Sequence, residues 1–242
     1  MRGYSQDASP PGDRTGPTGL EPAALGLTTG GPVNSGRAGA HDGTWPYGDA
    51  RPLPPDRSQA ILEATKHVAA RLKGGGYPFA LVGSVAAYAH GVPVSLQHDA
   101  DFCILREDAE AVTVSLQAAG IEVRVPPEDW LVKARSHGEE IDLIFELAQQ
   151  PVTRELLSRA QTLPVDSVHM PVLSPTDLMG SLLDAFSEHH CDFGAVLPIA
   201  RTLREKIDWS RLRREHQDSP MPDAFLYLLE RLDVIEPREA AP

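Results

Sequence analysis

"LVGSVAAYAHGVPVSLQHDADFCI", residues 81–104, is the stretch from which the rest of the chain can be read. Its opening belongs to the run "PFALVG", which reads as a buried strand. Gly83–Ser84 then turns the chain into a short helix starting at Ser84. Its close, "DADFCI", is apolar at Phe102, Cys103 and Ile104 but carries Asp99 and Asp101 at its head. Alternate residues of a strand point to one face, so the two aspartates stand side by side with Ala100 and Phe102 turned the other way. A carboxylate is almost never fully buried unless it is paired or bound to a metal. Two of them so close require something positive between them.

Outward from this stretch the chain alternates helix and strand. Upstream, "DRSQAILEATKHVAARLKGGG" opens on a capping aspartate and places Ile61, Leu62, Thr65, Val68, Ala69 and Leu72 on one helical stripe. Downstream, "REDAEAVTVSLQAAG" is a helix with acidic residues in its first turn and a glycine stop. "IEVRV" is a strand, and "WLVKARSHGEEIDLIFEL" reads as two strands joined at His137–Gly138. Beyond residue 148 the pattern turns mostly helical, with a short β-like "PVDSVHMPVLS" between the first two helices. Residues 1–56 hold 11 Gly and 9 Pro but only five Ile, Leu, Val or Phe, so they are expected to be a disordered leader. The expected division is therefore a leader over 1–56, an α+β core over 57–148 and a mostly helical module over 149–242.

Three features carry chemistry. Gly83–Ser84 sits at a strand-to-helix junction, where free N–H groups attract phosphate; a packing glycine followed by a helix-capping serine is the plain alternative. Asp99 and Asp101 are the second feature. The third is Asp142 in "EEIDLIFEL", again a lone carboxylate inside an apolar strand. Hard oxygen ligands of this kind suit Mg²⁺, which takes one or two carboxylates together with substrate phosphate oxygens. Two such ions can clamp the attacking and leaving oxygens of a phosphoryl displacement.

The order strand, Gly–Ser, short helix, Asp-x-Asp strand and later Asp strand resembles the nucleotidyltransferase superfamily, with its polymerase-β-like fold. The helical tail after about residue 172 is similar to that of small bacterial members related to the AbiEii-type toxins. This resemblance, which spans roughly residues 58–235, implies a mixed β-sheet flanked by helices and followed by a helical module. It implies an Mg²⁺-dependent transfer of NMP from an NTP to a hydroxyl on RNA (tRNA included), protein or a small molecule. Gly83 and Ser84 would hold the triphosphate, Asp99 and Asp101 would bind Mg²⁺, and Asp142 would complete a two-ion site and help deprotonate the hydroxyl. AbiEii-like relatives usually carry a lysine in the helix that here reads "DLMGSLLDAF", where Ser181 stands. Its task would pass to Lys133, Arg135, Arg201 or Lys206, of which Lys133 and Arg135 alternate on the strand before Asp142. A nucleotide-binding regulatory or toxin–antitoxin module of the same fold, with an antitoxin as partner and no turnover, is the alternative.

Bulk properties set limits. A net charge of −12 does not suit non-specific binding to nucleic acid or membrane surfaces. The most apolar stretch, "FALVGSVAAYA", is far short of the roughly 18 residues of a membrane span. With two cysteines in no ligand spacing and no signal-like N-terminus, a reduced cytoplasmic protein is expected. "EHHCD" at 188–192 resembles a metal cluster, but adjacent histidines on a helix diverge by about 100°. His98–Asp99, with a second H-x-x-D at 189–192, raises a metal phosphohydrolase as a third reading, ranked below because such sites are built on helices and His98–Asp99 lies in a strand-like run.

Overall fold

The computed structural model describes residues 56–96 and 98–238. The expected leader lies outside these residues apart from Asp56. The chain is α+β: a seven-stranded mixed sheet flanked by helices, with a helical C-terminal part.

Helix α1 (Arg57–Gly74) starts where the Asp56 carboxylate accepts from Ser58 N at 3.1 Å. Its stripe of Ile61, Leu62, Thr65, Val68, Ala69 and Leu72 is buried, and Thr65 Oγ1 satisfies itself on Ile61 O at 2.7 Å. The remaining helices of the first part are α2 (Gly83–Ala89) and α3 (Ala109–Ala118). The strands are β1 (Phe79–Val82), β2 (Ala100–Ile104), β3 (Glu122–Arg124), β4 (Leu131–Ser136) and β5 (Glu139–Ile144). A small separate hairpin follows, β6 (Glu146–Leu147) with β7 (Gln150–Pro151), then α4 (Arg154–Ser158) and a longer hairpin of β8 (Gln161–Val165) and β9 (Val168–Val172).

The strand order is β3-β4-β5-β2-β1-β9-β8. Strand β2 lies at its centre, antiparallel to β1 and parallel to β5, and every one of its residues is buried. The pairing of β1 with β9 draws the last two strands from beyond residue 148, where the sequence pattern suggested that a helical module had begun. The β-like stretch 164–174 of the sequence covers β9 and the end of β8; Pro164 and Pro171 obscured the full extent of β8 and the pairing with the sheet, since proline removes a ladder donor. The fold tolerates them because β8 is an edge strand and β9 meets β1 through a single register pair, Leu81 with Val172.

Helix α1 packs on β4 and β5 from the side that carries Ser136, whose hydroxyl lies 3.0 Å from His67 Nδ1. Side chains alternate along β4. Lys133 therefore stands on the opposite side of the sheet.

The C-terminal helices are α5 (Pro175–Asp184), α6 (Phe193–Leu203), α7 (Trp209–Glu215) and α8 (Pro220–Arg231). Helix α5 packs on α2 and on each of the other three, so it ties this part to the sheet. Phe186, Phe193 and Phe225 stack edge-on and tilted at its centre, with ring centroids 5.0–5.5 Å apart. Asp177, near the start of α5, accepts from Arg159 Nη2 at 2.8 Å, Arg159 Nε at 3.1 Å, Arg211 Nη1 at 3.1 Å and Ser174 Oγ at 2.6 Å. That buried carboxylate joins α5 to α7 and to the chain just after α4, and nothing about it is left unsatisfied for chemistry.

Candidate active site

Register brings the predicted residues together. Asp101 lies opposite Val82 on β1 and beside Asp142 on β5. Lys133 on β4 lies directly opposite Asp142, and Arg124 on β3 lies opposite Lys133. Residues paired in this way share a face of the sheet. One face of four adjacent strands thus carries the row Asp101, Asp142, Lys133, Arg124. Immediately after Val82 the chain enters α2 at Gly83, so the Gly83–Ser84 turn falls next to Asp101.

Gly83 has φ +69°, a left-handed conformation that L side chains adopt at a cost. Ser84 does not act as a helix cap, because Val82 holds the cap position and no side chain bonds the first turn. The Ser84 hydroxyl is buried and has no hydrogen-bond partner among the described residues. The plain reading of that serine as a capping residue is thereby removed.

The three aspartates differ. Both Asp101 oxygens are buried without a hydrogen-bond partner among the described residues, and the residue is 0 % exposed. Burial, followed by the neighbouring Asp142 and Asp99 charges, pushes its carboxyl well above the ordinary range. Asp142 is equally buried, but both of its oxygens accept from Lys133 Nζ, at 2.8 and 2.9 Å. Burial raises the Asp142 carboxyl, and Lys133 only partly offsets it. Asp99 is partly exposed, and its Oδ2 lies 3.9 Å from Lys133 Nζ. Burial alone would lower the Lys133 ammonium; the bond to Asp142 and the surrounding carboxylates outweigh it and raise the group. The positive charge required by the sequence is thus, in part, built into the chain.

Arg135 points along the same face but pairs elsewhere, with Gly138 O at 3.4 Å and Glu140 at 3.8 Å. The structure therefore does not join it to the three aspartates. Ser181 is buried in α5 and its hydroxyl donates back to Leu178 O at 2.8 Å, so it offers no substitute for a cation. Among the described residues no group of three or more His, Cys, Asp or Glu is placed to hold a metal ion by their side chains alone, which includes "EHHCD". Asp192 of that stretch caps α6 through Ala195 N at 3.1 Å.

Sequence reasoning assigned Lys133 to substrate and missed its direct bond to Asp142; it also missed Arg124, whose place in the row depends on the pairing of β3 with β4. A groove of about 820 Å³ between α1, α4 and the β8–β9 hairpin is lined mainly by apolar side chains. None of the three aspartates lines it, so it is not the site.

The donor set can be tested for an ion. Asp99 and Asp101 supply hard carboxylate oxygens, and those of Asp101 are buried and, among the described residues, unpaired. Such oxygens fit a hard dication and fit poorly with remaining as they are.

No protein-family model and no curated protein matches the chain. Several solved structures are similar to it. The antibiotic-resistance factor ANT(2'')-Ia in solution is 12% identical, with 74% of this chain and 94% of that one covered and a TM-score of 0.48. The same factor in complex with adenylyl-2''-tobramycin is 12% identical over 69% of this chain and 97% of that one, with a TM-score of 0.46. The lincosamide antibiotic adenylyltransferase LnuA, lincomycin-bound, is 10% identical over 59% of this chain and 95% of that one, with a TM-score of 0.43. Among the described residues no helix is long and apolar enough to cross a membrane.

Proposed function

We propose that this chain is an Mg²⁺-dependent nucleotidyltransferase that moves NMP from an NTP to a hydroxyl acceptor on RNA, protein or a small molecule. The observation that supports it best is the pair of buried Asp101 oxygens, unpartnered among the described residues, beside the left-handed Gly83–Ser84 turn. A polar atom orphaned in a core costs about 1–3 kcal/mol. Such a cost is characteristic of groups kept for a ligand. Asp99 and Asp101 would hold the ion, which supplies charge stabilisation at the phosphates when bound.

In this reading the Gly83–Ser84 turn receives the triphosphate through its free backbone N–H groups and the Ser84 hydroxyl. The acceptor oxygen forms a bond to the α-phosphorus while the bond from that phosphorus to the bridging oxygen breaks, and pyrophosphate leaves. The acceptor's proton passes to an Asp142 oxygen, which gives up one of its two bonds from Lys133 in exchange. Lys133 retains its charge throughout and keeps Asp142 in place.

The test is incubation of the protein with each α-labelled NTP, Mg²⁺ and total cell extract, fractionated into RNA, protein and small molecules. Label transferred by the parent and not by Asp101→Asn is the expected result. Equal labelling by the two would refute the reading. A second reading, a nucleotide-binding module without turnover, draws support from one observation: Lys133 occupies both oxygens of Asp142. Nucleotide binding with no labelled product in any fraction would favour it.

A further inference from the structure

We propose that the Lys133 ammonium fills the place of a second divalent ion in the carboxylate row, so that this chain takes one divalent cation rather than two. The nature of the ion rests on the nucleotidyltransferase reading above; the role of Lys133 rests on geometry.

The row is divided between two kinds of partner. Lys133 faces Asp142 across the antiparallel β4–β5 pair and donates to both of its oxygens. With two of its three N–H groups so engaged, and Asp99 at 3.9 Å, one donor is left for a substrate oxygen. Asp142 is thereby withdrawn from the ligand set. Asp101 lies at the same register one strand away, buried, with neither oxygen partnered among the described residues. The carboxylates free to bind an ion are therefore Asp101 and the partly exposed Asp99.

Charge leads to the same count. Setting aside Arg124, whose side chain is exposed at the far end of the row, three carboxylates and one ammonium leave two negative charges, which one dication cancels. A second dication would have to displace Lys133 from a carboxylate that is 1% exposed in its side chain, and strand the ammonium beside two metal ions. A lysine is suited to the fixed position because it is a compact point charge on a long stem.

The experiment counts Mn²⁺ bound to the metal-free, full-length protein without nucleotide, from the loss of the free-ion signal in electron paramagnetic resonance. The parent is expected to bind one ion. Asp101→Asn should bind at least tenfold more weakly. Lys133→Gln, which frees Asp142 from the charge, should bind two. Two ions on the parent, or a single ion on folded Lys133→Gln, overturns the proposal. Melting curves in metal-free buffer establish which variants are folded.

The double variant Lys133→Met with Asp142→Asn removes both members of the pair and covers the case in which Lys133→Gln does not fold. It should still bind one ion with parent-like affinity. A tenfold loss there would mean that Asp142 is a ligand and the proposal is wrong. The two readings fail separately: a parent that transfers NMP but binds two ions sinks only this inference, and one that binds a single ion but transfers nothing sinks only the proposed function.

Discussion

Asp101→Asn should stabilise the metal-free protein at pH 8 and leave it unchanged near pH 4. Neighbouring strands lie about 4.8 Å apart. Two unit charges at that separation repel by about 3.5 kcal/mol at an effective dielectric of 20. Lys133, bonded to both Asp142 oxygens, offsets only part of that repulsion, and the Asp99 charge adds to it. To this is added the cost of a buried carboxylate with no hydrogen bond among the described residues, which exceeds the roughly 1–3 kcal/mol of a neutral group. An asparagine has nearly the same shape, carries no charge, and can donate toward Asp142.

The pH sign follows from linkage. The Asp101 carboxyl is raised in the folded state, so between its unfolded and folded values the native protein binds more protons than the unfolded chain. Its contribution to stability is full below the unfolded value, near 4, and is lost as pH rises through the folded one. The Asn variant lacks that loss. At pH 8 the variant should gain at least about 2 kcal/mol, which at this chain length raises Tm by roughly 4 °C or more. Scanning fluorimetry of both proteins in chelator at pH 4, 6 and 8 reads the difference directly. A Tm difference that does not change with pH, or an Asn variant that melts lower at pH 8, would refute the argument. Millimolar Mg²⁺ should then raise the parent's Tm and not the variant's.

Other consequences can be checked in the same way. Ser84→Ala removes a buried hydroxyl with no partner among the described residues, so its stability should stay within about 0.5 kcal/mol of the parent's or rise, while titration with Mg²⁺–NTP shows weaker binding; a destabilised variant would mean the hydroxyl has a structural partner. For Asp177, burial alone would raise the carboxyl, but bonds from Arg159 and Ser174 prevail and hold it below the ordinary value. Asp177→Asn should therefore cost about 1–3 kcal/mol at pH 7, read by urea unfolding, and the cost should vanish as pH falls through the depressed value. An equal cost at both ends of that range would assign the effect to packing.

How much of this was legible in the sequence depended on distance along the chain. The strand, turn, helix and Asp-x-Asp strand were readable because β2 is buried throughout and only its aspartates break the apolar run. The Lys133–Asp142 pair was also within reach. His137 and Gly138 both have positive φ, as a two-residue hairpin loop of the primed type requires. Such a loop pairs Ser136 with Glu139, and counting back three places sets Lys133 against Asp142. The contact between Asp101 and Asp142 could not be counted in this way, since it crosses a parallel pair whose strands are 35 or more residues apart. The β8–β9 hairpin was legible only as a short β-like stretch: its prolines argue against longer strands, and its membership of the sheet rests on the non-local pairing of β9 with β1.

The placement of Lys133 also bears on what folding would cost this chain without an ion. A central strand cannot yield to solvent, so carboxylates placed there keep their full desolvation cost until something compensates. If the second position were filled by a metal, two buried aspartates would remain unpaired in the free chain, and folding would depend on metal to that extent. A lysine on the adjacent strand supplies the compensation at the moment β4 pairs with β5, which is a local event in the chain. Only Asp101 is then left carrying the cost of being ready for a ligand. The same bond removes one carboxylate from the set that can hold an ion. Foldability without metal and a reduced ion count are therefore two results of one contact, and removing Lys133 should change both together.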